Sequence, residues 1–91
     1  MKNKIALSSL AMDLRRAALG YHRGSNLMAE RFFDEALKRK KEVDMLMVKP
    51  YVRKLLNRIE GIKLQKKTDR IAEDALLYSI LLQNAAVKIQ S

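Results

Sequence analysis

The feature that most constrains how this chain folds is a run of 13 residues without a charged side chain, Ala75 to Val87. One apolar stripe through this run repeats at spacings of three and four, as in an amphipathic helix: Ile71, Ala75, Tyr78, Leu82, Ala85 and Ile89. A second stripe lies nearly opposite at 100° per residue: Leu76, Ile80 and Val87. One neighbour cannot bury both faces. The run therefore predicts a helix that is central in a bundle or shared with a second subunit.

The rest of the chain also has helical periodicity and predicts a single all-α domain spanning residues 1–91. Helices are expected near 4–22, 26–47, 50–60 and 68–89, forming a small antiparallel bundle of four helices. Pro50 suits the first position of the third helix, because the N–H that proline lacks has no partner there. Gly61 is expected to end or bend that helix.

The region around Gly24 leaves two topologies open. Gly24 followed by Ser25 and Asn26 is typical of a helix end and a new helix start. However, the apolar stripe of the first helix continues in phase beyond this point. A single helix of about 40 residues, giving three helices in all, is therefore the alternative, since each glycine lowers helicity by only about 1 kcal/mol.

One local pattern favours the break at Gly24. The spacing of Gly24, Ala29, Phe33, Ala36 and Leu37 resembles the second half of a tetratricopeptide-type repeat. The resemblance covers about 14 residues and implies a helical hairpin that turns at this glycine. No further repeat of the family's period of about 34 residues follows, so the resemblance extends to the hairpin alone.

The first helix carries a spare apolar stripe like that of the last helix. Ile5, Met12 and Leu19 are spaced by seven residues behind its main stripe. Two helices with spare stripes predict a homo-oligomer, most simply a two-fold dimer. The predicted interface consists of six residues: Leu76, Ile80, Val87, Ile5, Met12 and Leu19.

The charge of the chain, +9 in total, is concentrated in one segment. Residues 49–70 carry eight Lys or Arg against two Asp or Glu. Such a segment is expected to attract a phosphate backbone, and it predicts electrostatic binding to RNA or DNA with little sequence specificity. The predicted contacts are Lys49, Arg53, Lys54, Arg58, Lys63, Lys66, Lys67 and Arg70.

Little in the sequence points to catalysis. Arg16 and His22 have a spacing that resembles the R-x4–6-H motif of HEPN, a superfamily of helical nucleotide-binding and RNase domains. The resemblance implies a ribonuclease in which His moves a proton and Arg stabilises the phosphate. The chain has one His and no Cys, which excludes thiolate metal sites and the Glu-x-x-His pairs of a di-iron bundle. We expect no metal and no cofactor.

These observations favour a non-enzymatic interaction or assembly module that forms a homodimer and docks a protein partner. A nucleic-acid-binding protein is the alternative, and the HEPN-like ribonuclease is a third hypothesis. The N-terminal stretch does not have the pattern of a signal peptide, and the uncharged run is shorter than the roughly 20 residues that cross a bilayer. We therefore expect a cytoplasmic protein without membrane contact.

Overall fold

The computed structural model describes residues 2–89, of which the regular elements are all helical. The helices are α1 (Lys2–His22), α2 (Asn26–Lys40), α3 (Pro50–Asn57), α4 (Ile59–Lys63) and α5 (Thr68–Lys88), with a 3₁₀ turn at Met45–Met47. Helix accounts for 83% of the structure, and the described range contains no strand. The predicted all-α bundle is therefore confirmed.

Helix α1 is the centre of the bundle and packs against both α2 and α5. Its main apolar stripe, predicted from spacings of three and four residues, is buried: Leu7, Leu10, Ala11, Leu14, Ala18 and Tyr21. Helices α1 and α5 are antiparallel. The Nζ of Lys4 near the start of α1 donates to the carbonyl of Ile89 just after α5 at 3.3 Å.

The turn between α1 and α2 excludes the long continuous helix. Gly24 has a φ of 80°, in the left-handed region that other residues rarely adopt. Two hydrogen bonds close the turn: the N–H of Ser25 donates to the carbonyl of Gly20 at 2.8 Å, and that of Gly24 to Tyr21 at 3.1 Å. These are the two bonds of a Schellman motif. The alternative topology with three helices is therefore wrong at this position.

The second helix ends earlier than predicted, at Lys40 rather than near residue 47. Two polar side chains hold the segment after Lys40 in a non-α-helical loop that contains the 3₁₀ turn. Asn3 pairs with the backbone of Asp44, accepting from its N–H at 2.8 Å and donating to its carbonyl at 3.1 Å. Arg53 donates to the carbonyls of Met45 and Val48. The spacing of apolar residues predicted a helix as far as Met47. Periodicity does not report hydrogen bonds to residues elsewhere in the chain, and these bonds end the helix earlier.

The third predicted helix is divided in two. Arg58 interrupts it, because its N–H bonds back three residues to Leu55 at 3.1 Å, and a short α4 then continues to Lys63. Gly61 lies inside α4 and does not end it. Val52, Leu56, Ile59 and Ile62 on these two segments are all buried. Helices α3 and α4 thus cover one side of the α1/α5 pair.

None of the helices between residues 2 and 89 combines the length and the apolar character that a membrane crossing requires.

Candidate interaction surfaces

The predicted interface residues all lie on the protein surface. Each is between 40% and 69% exposed, although all six are large apolar side chains. We call this set the α1/α5 face: Ile5, Met12, Leu19, Leu76, Ile80 and Val87. A solvent-exposed position is what an oligomer interface requires, and none of these residues contributes to the buried core of the single chain.

The two rows of the α1/α5 face run side by side. Leu19 and Leu76 line one groove, which also contains Ala18 and Ala72. Because α1 and α5 are antiparallel, Ile5 at the other end of its row is level with the end of α5 that carries Val87. The rise of 1.5 Å per residue makes the face about 20 Å long. It is therefore a strip two helices wide, in which exposed polar residues such as Arg15 and Gln83 lie between the apolar side chains.

The α1/α5 face points away from α3 and α4. Leu7 of α1 and Ala85 of α5 line a cavity together with Val52 of α3, so their side of each helix faces α3. At 100° per residue, Met12 lies about 140° around α1 from Leu7, and Ile80 lies about 140° around α5 from Ala85. The strip is therefore on the side of α1 and α5 opposite the cations of α3 and α4, whereas Arg70 of the basic segment is on α5 itself.

The extent of this strip is notable for a small protein. With about 150 to 200 Å² for a fully exposed side chain of this size, the six residues expose roughly 450 to 650 Å². The largest apolar patch on a typical monomer is about 300 to 600 Å² and is often functional.

Some cations of the basic segment bind other groups of the chain, and the others form no ion pair. Lys63 forms an ion pair with Asp34 of α2. Arg53 is committed to the carbonyls of Met45 and Val48. The remaining six form no ion pair with another residue of the range 2–89: Lys49, Lys54, Arg58, Lys66, Lys67 and Arg70. The sequence could not separate the two groups, because Asp34 is 29 residues away from Lys63 in the chain.

Arg16 and His22 are on different sides of α1. The guanidinium of Arg16 lies over the ring of Phe32, 5.7 Å from its centroid, and donates to Asp13 at 3.4 Å. His22 lines the groove between α1 and α5, with Asp69 and Glu73 across from it. Six residues of helix separate the two positions by about 9 Å along the axis and 120° around it. The two side chains are thus not brought to one site.

Asp13 is the most buried carboxylate among the described residues, and it faces two guanidiniums. Arg16 is 3.4 Å away and Arg39 is 3.9 Å away. Burial nevertheless raises the pKa of Asp13 above its usual 3.8, because the loss of solvation outweighs the attraction of Arg39 and Arg16. Because Arg39 also pairs with Glu42 at 3.4 Å, this cluster links α1 to the end of α2. Its contacts are structural.

Two exposed apolar residues of α5 lie outside the two stripes that the sequence predicted. Leu77 is 50% exposed and Leu81 37% exposed, on the flank of α5 between the α1/α5 face and α4. The uncharged run contained both, but neither falls on the two stripes that periodicity singled out.

No group of His, Cys, Asp and Glu within residues 2–89 has the arrangement of a metal site.

Comparison of the chain with models of protein families, with curated proteins and with solved structures gives no match.

Proposed function

We propose that this protein is a non-enzymatic assembly module that forms a homodimer through the α1/α5 face. The observation that carries the proposal is the exposure of all six residues of that face in the single chain. Burying such a strip removes apolar surface from water, which is the main driving force for association.

A second copy of the chain suits this face better than an unrelated partner. A two-fold axis along the strip would place the two rows of one copy on the two rows of the other, which gives a four-helix arrangement at the interface. The α5 side of the strip has no charge from Ala75 to Val87, so two copies that each carry +9 would bring few like charges of α5 together there. The basic α3/α4 side would remain outside.

The proposal is tested by measuring the molar mass of two double variants. Both place two lysines on α5, but on different flanks of the helix. Leu76→Lys with Ile80→Lys puts two charges on the α1/α5 face. Leu77→Lys with Leu81→Lys puts the same two charges on the neighbouring flank, at positions of similar exposure. Light scattering after gel filtration should show a monomer for the first variant and a dimer for the second and for the unmodified chain.

The controls separate interface loss from unfolding. Both variants should retain the helical circular dichroism of the unmodified protein, since the four leucine and isoleucine positions are 37% to 50% exposed. A monomeric unmodified protein at tens of micromolar would refute the proposed dimer. Dissociation by the 77/81 variant and not by the 76/80 variant would refute the choice of face.

A second function, binding of RNA or DNA, is favoured by a specific observation. Six of the eight predicted contact residues form no ion pair within the described range. A dimer would then present two such surfaces. Binding of this kind depends mainly on the neutralisation of phosphates. It weakens at high salt, because the counterions that binding releases gain less entropy in a more concentrated solution.

The salt dependence of binding tests this second function. Lys66→Glu with Lys67→Glu should weaken binding to a single-stranded RNA and reduce the slope of log K against log salt by about 0.7 for each lost contact. Lys63→Glu is a poor probe, because it also breaks the ion pair with Asp34. Absence of binding at low salt by the unmodified protein would rule this function out while leaving the dimer proposal intact.

A further inference from the structure

A small apolar cavity is present at one end of the bundle, on the side of α1 and α5 that faces α3, and Lys49 of the basic segment borders it. It lies where the start of α1, the end of α5 and the start of α3 meet, and its volume is about 230 Å³. Four of its lining residues are buried and apolar: Leu7, Val48, Val52 and Ala85. An apolar cavity of about 150 Å³ already accommodates a benzene molecule, so this one has room for a somewhat larger ligand.

Cationic side chains accompany this apolar lining. Lys49 and Lys88, both exposed, line the cavity together with Tyr51. Neither lysine forms an ion pair with a carboxylate in residues 2–89, and no Asp or Glu lines the cavity. The ammonium of Lys4 is near the same end, because it donates to the carbonyl of Ile89, which also lines the cavity. The site thus combines an apolar interior with a positive entrance.

We propose that this cavity binds a single-chain carboxylate of about eight carbons, with the chain on the apolar lining and the carboxylate between Lys49 and Lys88. The volume sets the size, because it exceeds what benzene needs but is below the roughly 300 Å³ of sites for drug-sized ligands. A membrane phospholipid has two long acyl chains and does not fit. The two lysines at the entrance complement a single negative charge, which the free carboxylate supplies, and the inference does not depend on dimer formation.

The probe is octanoate, titrated below its micelle concentration into ¹⁵N-labelled protein. Saturable shifts are expected at the amides of Val48, Val52 and Ala85, with a dissociation constant on the order of 0.1 to 1 mM for a ligand of this size. Octan-1-ol, which has the same chain without the charge, should bind about tenfold more weakly, because it lacks attraction to the two ammonium groups.

Two charge variants make the test specific. Lys49→Gln with Lys88→Gln should reduce octanoate affinity about tenfold and leave octanol affinity unchanged. Lys54→Gln with Lys66→Gln removes the same charge elsewhere on the surface and should leave octanoate binding unchanged. The proposal is overturned if the shifts do not saturate, if they map to the α1/α5 face, or if octanol and octanoate bind equally. A similar loss in both lysine variants would also overturn it.

Discussion

The contact between α1 and α2 at Gly20 gives a sharp prediction for Gly20→Ala. A Cβ at this position would lie 2.9 Å from the Cβ of Ala29, 3.1 Å from its Cα and 3.2 Å from its backbone nitrogen. Carbon atoms normally approach to about 3.5 to 4.0 Å. Because two of the three contacts are with backbone, α2 would have to move away from α1 rather than a side chain rotate.

The expected change in stability is a balance of two terms. Alanine favours a helix interior over glycine by about 1 kcal/mol. Overpacking of a well-filled interface costs about 1 to 3 kcal/mol, and the upper part of that range applies because Ala29, Phe33 and Ala36 have no exposed surface with which to relax. We therefore expect Gly20→Ala to lower the free energy of unfolding by about 1 to 2 kcal/mol.

Gly61→Ala is the matched control. Gly61 is also inside a helix, but a Cβ there would meet no atom within 4 Å. This variant should gain about 0.5 to 1 kcal/mol from helix propensity alone. Urea unfolding followed by circular dichroism measures both changes, with equal slopes m expected for the two variants. If Gly20→Ala were as stabilising as Gly61→Ala, the close approach of α1 and α2 would be wrong.

Three other substitutions test separate parts of the fold. Gly24→Ala should destabilise by about 1 to 2 kcal/mol in thermal unfolding, because alanine is strained at a φ of 80°; an unchanged midpoint would contradict the left-handed turn. Arg53→Met should speed hydrogen exchange at Leu46 and Met47, since the loop loses two hydrogen bonds; unchanged exchange would show that the loop does not need them. The raised pKa of Asp13 means that its contribution favours the folded state below about pH 3.8 and is lost as pH rises through the folded pKa. Asp13→Asn should therefore gain stability relative to the unmodified protein as pH rises above about 3.8 in urea titrations, and a constant difference would contradict the shift.

Much of the fold follows from local patterns. The stripes of α1 and α5 repeat every three to four residues over six turns each, so the sequence predicted both helices and most of their buried residues. The turn at Gly24 was also predictable from local sequence, because glycine readily adopts the positive φ that ends a helix. The end of α2 was not, because it depends on Asn3 and Arg53, which are 41 and 8 residues from the backbone groups that they bind.

The candidate surfaces were predictable to a different degree. Periodicity singled out the six residues of the α1/α5 face as spare apolar stripes but left open whether a neighbouring helix, solvent or a partner covers them; in the single chain they are exposed. It could not distinguish solvent from partner, which depends on a second molecule. For the basic segment, sequence identified the cations, but the pairing of Lys63 with Asp34 follows from the packing of α4 near α2. The cavity was missed because its lining comes from four separate segments of the chain.

The central claim is that two copies meet through the α1/α5 face, and an isotope-filtered NOE experiment tests it most directly. A mixture of ¹³C-labelled and unlabelled protein reports only contacts between different chains. The account predicts intermolecular NOEs among the side chains of one set: Ile5, Met12, Leu19, Leu76, Ile80 and Val87. Intermolecular NOEs confined to other exposed apolar residues, such as Leu27, Leu46 or Leu64, would contradict it, as would their absence at millimolar concentration.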